Sequence, residues 1–239
     1  MGKNADLFLS AFIEIEGYLK KTSNARGHQT FSTLAQDAAR KSAVVRRYLG
    51  DLKQYGELRN AIVHTQSADH RVLAEPFDST VHAIQGIVKQ LLRPPVVDEV
   101  CAKPVLNVSP HDSIAHAMSL MSQRWISQLP VITEGACQGV LSSQTVVRWL
   151  GAKVTDDVLS LSESKVSEAL PYKEKDETCL FVGRKVTLAE ILELFQEEAS
   201  NGRELSAILV TQSGKKTESL FGIVTASDFP VILRKLGYR

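Results

Sequence analysis

Val108-Ser-Pro-His-Asp-Ser113-Ile114-Ala-His-Ala-Met118-Ser-Leu-Met121 is answered in register, 74 positions later, by Val182-Gly-Arg-Lys-Val-Thr187-Leu188-Ala-Glu-Ile-Leu192-Glu-Leu-Phe195. Each copy continues through an apolar strand, Leu129-Pro-Val-Ile132 or Ala207-Ile-Leu-Val210, into a glycine-led strand and a closing helix. A unit stated twice points to two packed halves related by a pseudo-two-fold axis. The endings differ. The first copy closes with Gly139-Val-Leu-Ser142-Ser-Gln-Thr145 and the second with Gly222-Ile-Val-Thr225-Ala-Ser-Asp228, so the two halves are not expected to bind the same thing equally well.

The second copy is longer by nine positions. Four fall around Ala199 to Glu204, and five in the polar turn Gln212 to Ser219, which contains Gly214. The charged stretch Pro171 to Thr178 joins the copies and is expected to be mobile. Upstream of the repeat the pattern is helical only. Leu7, Phe8, Ala11, Phe12, Ile15, Tyr18 and Leu19 recur at helical spacing, and Phe31, Leu34, Ala35 and Ala38 start a second helix. Ser42 is placed to cap a third, which carries Val45, Tyr48, Leu49, Leu52, Tyr55, Ile62 and Val63 and is weakened by Gly50 and Gly56. Val81, Ile84, Ile87, Val88, Leu91 and Leu92 mark a fourth, stopped by Arg93-Pro94-Pro95. The fold class expected is therefore α+β: an antiparallel helical bundle over 1–95, then duplicated β-α-β-β-α units over 96–165 and 166–239.

Composition sets the outer limits. At 239 residues, 44% hydrophobic and 23% charged, the chain is an ordinary globular sequence. Cys101, Cys137 and Cys179 are odd in number with no metal-type spacing, which reads as free thiols in a reducing compartment. No apolar run reaches the roughly 18 residues of a membrane span, and the first residues carry no apolar leader, so a cytoplasmic protein is expected. Residues 1–95 hold 13 Lys or Arg against 9 Asp or Glu, which tilts any polyanionic partner toward that half.

The repeat resembles the cystathionine-β-synthase (CBS) domain over residues 100–239, and the tandem resembles the CBS pair that senses adenine nucleotides. The resemblance implies a nucleotide site at Gly222, Thr225 and Asp228, with Ser227 beside them and Ile223 flanking the adenine together with Ile126 and Ser127 of the other copy. The chemistry is reasonable without the name. A strand turning directly into a helix presents unpaired N–H groups to a phosphate, Thr225 adds a hydroxyl, and Asp228 accepts from a ribose diol. The same four residues also read as a helix cap with an acid in the first turn, which needs no ligand. The first copy keeps Ser142 but has Thr145 at the acidic position, giving a weak second site. Ser206 stands where some relatives carry a basic residue on the phosphate, so AMP, ADP and ATP are not ranked.

Arg59-Asn60-Ala61-Ile62-Val63-His64 resembles the Arg-polar-x-x-x-His motif of HEPN domains, small dimeric four-helix bundles found in metal-independent RNases; the resemblance covers residues 5–93. It implies that His64 is the base or acid, that Arg59 stays charged on the scissile phosphate, and that Asn60 orients either. Residues five apart differ by about 140° around a helix, so convergence would need a homodimer. The other reading makes Arg59 a strut and His64 a helix-end partner. His28, His70, His82, His111 and His116 read as surface or loop residues, and Arg40, Lys41, Arg46 and Arg47 as a basic patch that is either an RNA guide or a solvated face. Two functions follow as expectations. One is a CBS pair that responds to an adenine nucleotide and controls a HEPN endoribonuclease acting on single-stranded RNA without metal. The alternative is a non-enzymatic sensor whose bundle dimerises or recruits a partner. Neither DNA nor a membrane is an expected partner.

Overall fold

The computed structural model describes residues 2–24, 27, 29–64, 74–153 and 160–238. Contacts divide the chain into two units, Met1–Pro95 and Val96–Arg239.

Among the described residues of the first unit the regular structure is helical: α1 (Lys3–Ser23), α2 (Phe31–Ala39), α3 (Ala43–Arg47), α4 (Leu49–His64) and α5 (Asp78–Leu92). Thr30 caps α2 by accepting from the Thr33 N–H at 3.2 Å, and Ser42 caps α3 by accepting from the Val45 N–H at 3.4 Å. The third helical stretch breaks at Tyr48, not at a glycine. Tyr48 leaves helical geometry at φ −96°, ψ 9°, while Gly50 and Gly56 both lie inside α4. Gly56 has a packing reason to be there, since a Cβ would stand 3.1 Å from the Phe31 ring. Phe8, Phe12, Ile15 and Leu19 of α1 are buried with Leu34, Leu52, Ile62, Ile84 and Leu91 of the other helices. The rings of Phe12 and Phe31 lie 4.3 Å apart, and Tyr55 meets Phe8 edge-on at 5.7 Å.

In the second unit the repeat is realised as two small sheets with their helices. The first copy comprises α6 (Ile114–Arg124), β1 (Gln128–Thr133), β2 (Ala136–Ser142), α7 (Ser143–Lys153) and the short α8 (Val166–Ala169). The second comprises β3 (Glu177–Gly183), α9 (Leu188–Ser200), β4 (Glu204–Thr211), β5 (Gly222–Val224) and α10 (Phe229–Lys235). β1 and β2 pair antiparallel, as do β4 and β5, while β3 runs parallel to β4. The strand expected at the head of the first copy shrinks to one parallel bridge, Val108 to Val131. The segment ahead of Val108 is engaged elsewhere: Val97 donates to the Val186 carbonyl at 2.8 Å and Ala102 to that of Ile223 at 2.9 Å, both in the second copy.

Equivalent residues cap the equivalent helices. Ser113 accepts from the His116 N–H at 3.1 Å and Thr187 from the Glu190 N–H at 3.3 Å. Val108, Ile114, Ala117, Leu129, Val131, Leu141 and Trp149 form the core of the first copy. Cys137 and Val140 meet Ala207 and Leu209 in a cluster that joins the two sheets. The joining stretch, expected to be mobile, makes one ion pair with the first copy and ends inside a strand. Glu174 pairs with Arg148, and Glu177 and Thr178 already belong to β3.

Candidate functional site

Ile126, Ser127, Ile223, Thr225, Ser227 and Asp228 all line one cavity of about 180 Å³ within the second unit, together with Ala102, Pro104, Leu106, Trp125 and Gln128. Two structural devices bring them together. The end of α6 turns through Trp125 into β1, carrying Ile126 to Gln128 to the rim. The Ala102–Ile223 hydrogen bond then ties the chain ahead of the first copy to β5. Residues from both copies are therefore needed to form the cavity.

Asp228 caps its own turn. Its Oδ2 accepts from the Thr225 N–H at 2.8 Å and from the Thr225 hydroxyl at 3.4 Å, closing the single 3-10 turn Ala226–Asp228. The cap reading of this motif is thus satisfied. Among the described residues no hydrogen bond reaches Oδ1, and Asp228 is one of the residues lining the cavity. The turn also alters the expected phosphate cradle. α10 begins only at Phe229, is seven residues long, and has Pro230, which lacks an N–H, in its first turn. Ser206 is buried and donates to the Thr178 carbonyl at 2.9 Å, so it adds no charge to the site.

At the corresponding place in the first copy the chain supplies its own acid. Ser142 and Thr145 are buried, their hydroxyls 3.0 Å apart, with the Thr145 N–H donating to Ser142 Oγ at 3.1 Å. Glu177, only 4% exposed, reaches in from β3 and takes both hydroxyls on Oε2, at 3.4 and 3.5 Å. Its Oε1 is buried and among the described residues has no hydrogen-bond partner. At Ser142 and Thr145, where a weak second site is expected, both hydroxyls thus face a carboxylate of the chain itself. Glu177 escaped the sequence reading because it heads the apolar strand Glu177-Thr-Cys-Leu-Phe-Val182 at a position that resembles a linker end. Trp125 was missed too, although a lone tryptophan at a helix end was a visible signal.

In the helical unit, Arg59 and Asn60 share the last turns of α4, with Arg59 Nη1 donating to Asn60 Oδ1 at 3.3 Å. Both line a groove of about 680 Å³ with Glu16, Lys20, Lys53 and Glu57, so its charge is mixed. His64 closes α4, and its side chain lies outside the described residues, as do His28 and His70. Because α4 is continuous from Leu49 to His64, the wide angular offset of Arg59 and His64 stands. The basic patch is largely put to local use. Lys41 donates to the Ser23 carbonyl at 2.8 Å and Arg46 to that of Ala39 at 3.1 Å, each at a helix end, while the Arg47 guanidinium stacks on Tyr48 at 4.8 Å. His82, His111 and His116 are exposed. No helix of the described residues is long and apolar enough to cross a membrane.

Comparison with solved structures finds similarity over part of the chain. The CBS domain pair of protein MJ0100, in complex with 5′-methylthioadenosine and S-adenosyl-L-methionine, is 15% identical, with 59% of this chain and 97% of that chain covered and a TM-score of 0.45. CBSX2 in complex with AMP is 17% identical, with 59% and 94% covered and a TM-score of 0.42. A CBS domain-containing protein of unknown function from Kribbella flavida is 20% identical, with 59% and 99% covered and a TM-score of 0.44. The comparison with curated proteins returns no match. Residues 97–152, within the first copy of the repeat, match the family model described as CBS domain.

Proposed function

We propose that residues 96–239 bind an adenine nucleotide, AMP, ADP or ATP, and that the protein is a regulator whose helical unit responds to that binding. The observation that supports this reading is the convergence of Ile126, Ser127, Ile223, Thr225, Ser227 and Asp228 on one cavity built from both copies. Asp228 takes the ribose diol on Oδ1, Thr225 and Ser227 offer hydroxyls, and Ile126 and Ile223 give the base an apolar surface. Because the site needs both copies, a ligand that fits one arrangement of them better than another shifts the balance between arrangements by that difference in affinity. Titration calorimetry of the full chain with AMP, ADP and ATP tests this. Binding by at least one nucleotide is expected, and Asp228→Ala should weaken it by about tenfold or more, the loss of a charge-assisted hydrogen bond. An unchanged affinity in Asp228→Ala refutes this placement of the ligand.

A second reading makes the helical unit a metal-independent endoribonuclease of the HEPN type, with His64 as acid or base and Arg59 and Asn60 on the phosphate, brought together in a homodimer. It is favoured by the pairing of Arg59 with Asn60 at the wall of a groove. Cleavage of single-stranded RNA in EDTA, abolished by His64→Ala, supports it. Absence of cleavage with and without nucleotide leaves the non-enzymatic sensor.

A further inference from the structure

We infer that Trp125 is the platform on which the nucleotide base stacks, and that it sets the preference of this site for a purine. The inference rests on the nucleotide reading of the cavity at Thr225 and Asp228.

Trp125 is held in a way that folding alone does not favour. It caps α6 with left-handed backbone angles, φ 53° and ψ 41°, a conformation that glycine adopts without penalty and that a bulky residue adopts only at a cost. The residue is 96% exposed, leaving a large apolar surface in water. The duplication within the chain supplies an internal control. In the second copy the backbone leaves α9 through Gly202, φ 70°, the residue expected at such an exit. The two exits differ in what they serve. The exit of α6 lines the open cavity with the ending of the second copy, whereas the reciprocal place, at the ending of the first copy, is filled by Glu177. The costly tryptophan is found at the open site, and the unstrained glycine at the exit whose counterpart site is occupied.

Ligand chemistry accounts for both anomalies. The cavity, at about 180 Å³, is smaller than the roughly 300–1,000 Å³ that encloses a ligand of nucleotide size, so part of the ligand must lie at its mouth. Trp125 stands at that mouth, with Ile223 on the opposite copy, and a planar base placed there covers the exposed indole. Stacking of this kind tolerates any base but grows with the area of the rings, so it separates purine from pyrimidine and leaves the choice among purines to other groups. Trp125 also borders an apolar groove of about 480 Å³ with Met118, Met121, Val146, Val147 and Leu150, and a second protein surface is the competing occupant.

The test uses the full chain, AMP, CMP, calorimetry and intrinsic fluorescence. The other tryptophan, Trp149, is fully buried, so a change in the emission of exposed indole on adding AMP reports Trp125. Trp125→Gly should weaken AMP binding about tenfold or more and erase any preference over CMP, while Trp125→Phe retains most of both. Trp125→Gly should also melt no lower than the unsubstituted protein, because it relieves the left-handed backbone, which separates lost stacking from lost folding. If Trp125→Gly binds AMP undiminished while Asp228→Ala does not, the stacking inference is overturned and the nucleotide site stands. If Trp125→Gly instead loses self-association with AMP affinity intact, the residue belongs to an interface. If the unsubstituted protein binds none of AMP, ADP and ATP, the nucleotide reading itself fails.

Discussion

Replacing Thr145 by aspartate separates two ways of understanding the first copy. By motif alone, Thr145→Asp restores the acid that the second copy has at Asp228 and should create a second ribose clamp. The geometry argues the reverse. Thr145 is 0% exposed and its hydroxyl lies 3.5 Å from Glu177 Oε2, so the substitution sets a second carboxylate against a buried one. Two unit charges of like sign about 4 Å apart, at an effective dielectric near 20, repel by about 4 kcal/mol, the ceiling reached when neither carboxyl takes up a proton. Against a total stability of about 5–15 kcal/mol that is a large loss, equivalent to roughly 8–16 °C in the melting midpoint of a unit this size. The assay is thermal unfolding at pH 7, following the transition of the second unit, with Thr145→Asp, Glu177→Gln and the double substitution completing a cycle. The double variant should recover most of the loss, since it removes the opposing charge. AMP calorimetry on the same proteins should show no additional binding equivalent in Thr145→Asp. A midpoint within about 2 °C of the unsubstituted protein, or a second AMP equivalent, would falsify the assignment of Glu177 as the occupant of this place.

Three further outcomes are expected. Gly222→Ala drives a Cβ into Cys101 Sγ and to 2.7 Å from the Cys101 Cβ, an overpacking that costs about 1–3 kcal/mol in thermal melts; because Ala102, next to Cys101, bridges to Ile223, next to Gly222, nucleotide affinity should fall with it, and an unshifted midpoint contradicts the close approach. Burial pushes the thiols of Cys101, Cys137 and Cys179 upward, so all three should react slowly with a thiol reagent at neutral pH and quickly in urea, whereas fast native labelling would show an accessible thiolate. Hydrogen bonds from the Ser213 hydroxyl and N–H, at 2.5 and 2.7 Å, hold Glu218 down to about 2, so its support of the turn before β5 is complete above its ordinary range near 4.5 and lost as pH falls through about 2; protection of the Ser213 amide from hydrogen exchange should survive at pH 4 and disappear in Glu218→Ala.

What could be foreseen followed from periodicity, and what could not depended on long-range contacts. Helix faces such as Phe8, Phe12 and Ile15, and the capped repeats behind Ser113 and Thr187, obey local rules that a linear pattern carries. The Thr225 and Asp228 motif was visible for the same reason, as residues three apart around one turn. Glu177 was hidden because its partners, Ser142 and Thr145, lie more than thirty positions away, and no local spacing announces that a strand's first residue will point into the ending of another copy. The break at Tyr48 was missed through overweighting glycine: packing of Gly56 against Phe31 overrides its poor helix propensity.

The hydrogen bonds of Val97 to Val186 and of Ala102 to Ile223 have a consequence for how the molecule is made. A ribosome delivers Val97 and Cys101, both buried in the finished protein, long before their partners exist. At about 5–20 residues per second, the interval before Ile223 appears is on the order of ten seconds. Through that interval the leading segment of the repeat cannot be satisfied by its own copy, and the helical unit ahead of it is already complete. The second unit is therefore sealed from its far end, by the strand of the unit that is synthesised latest.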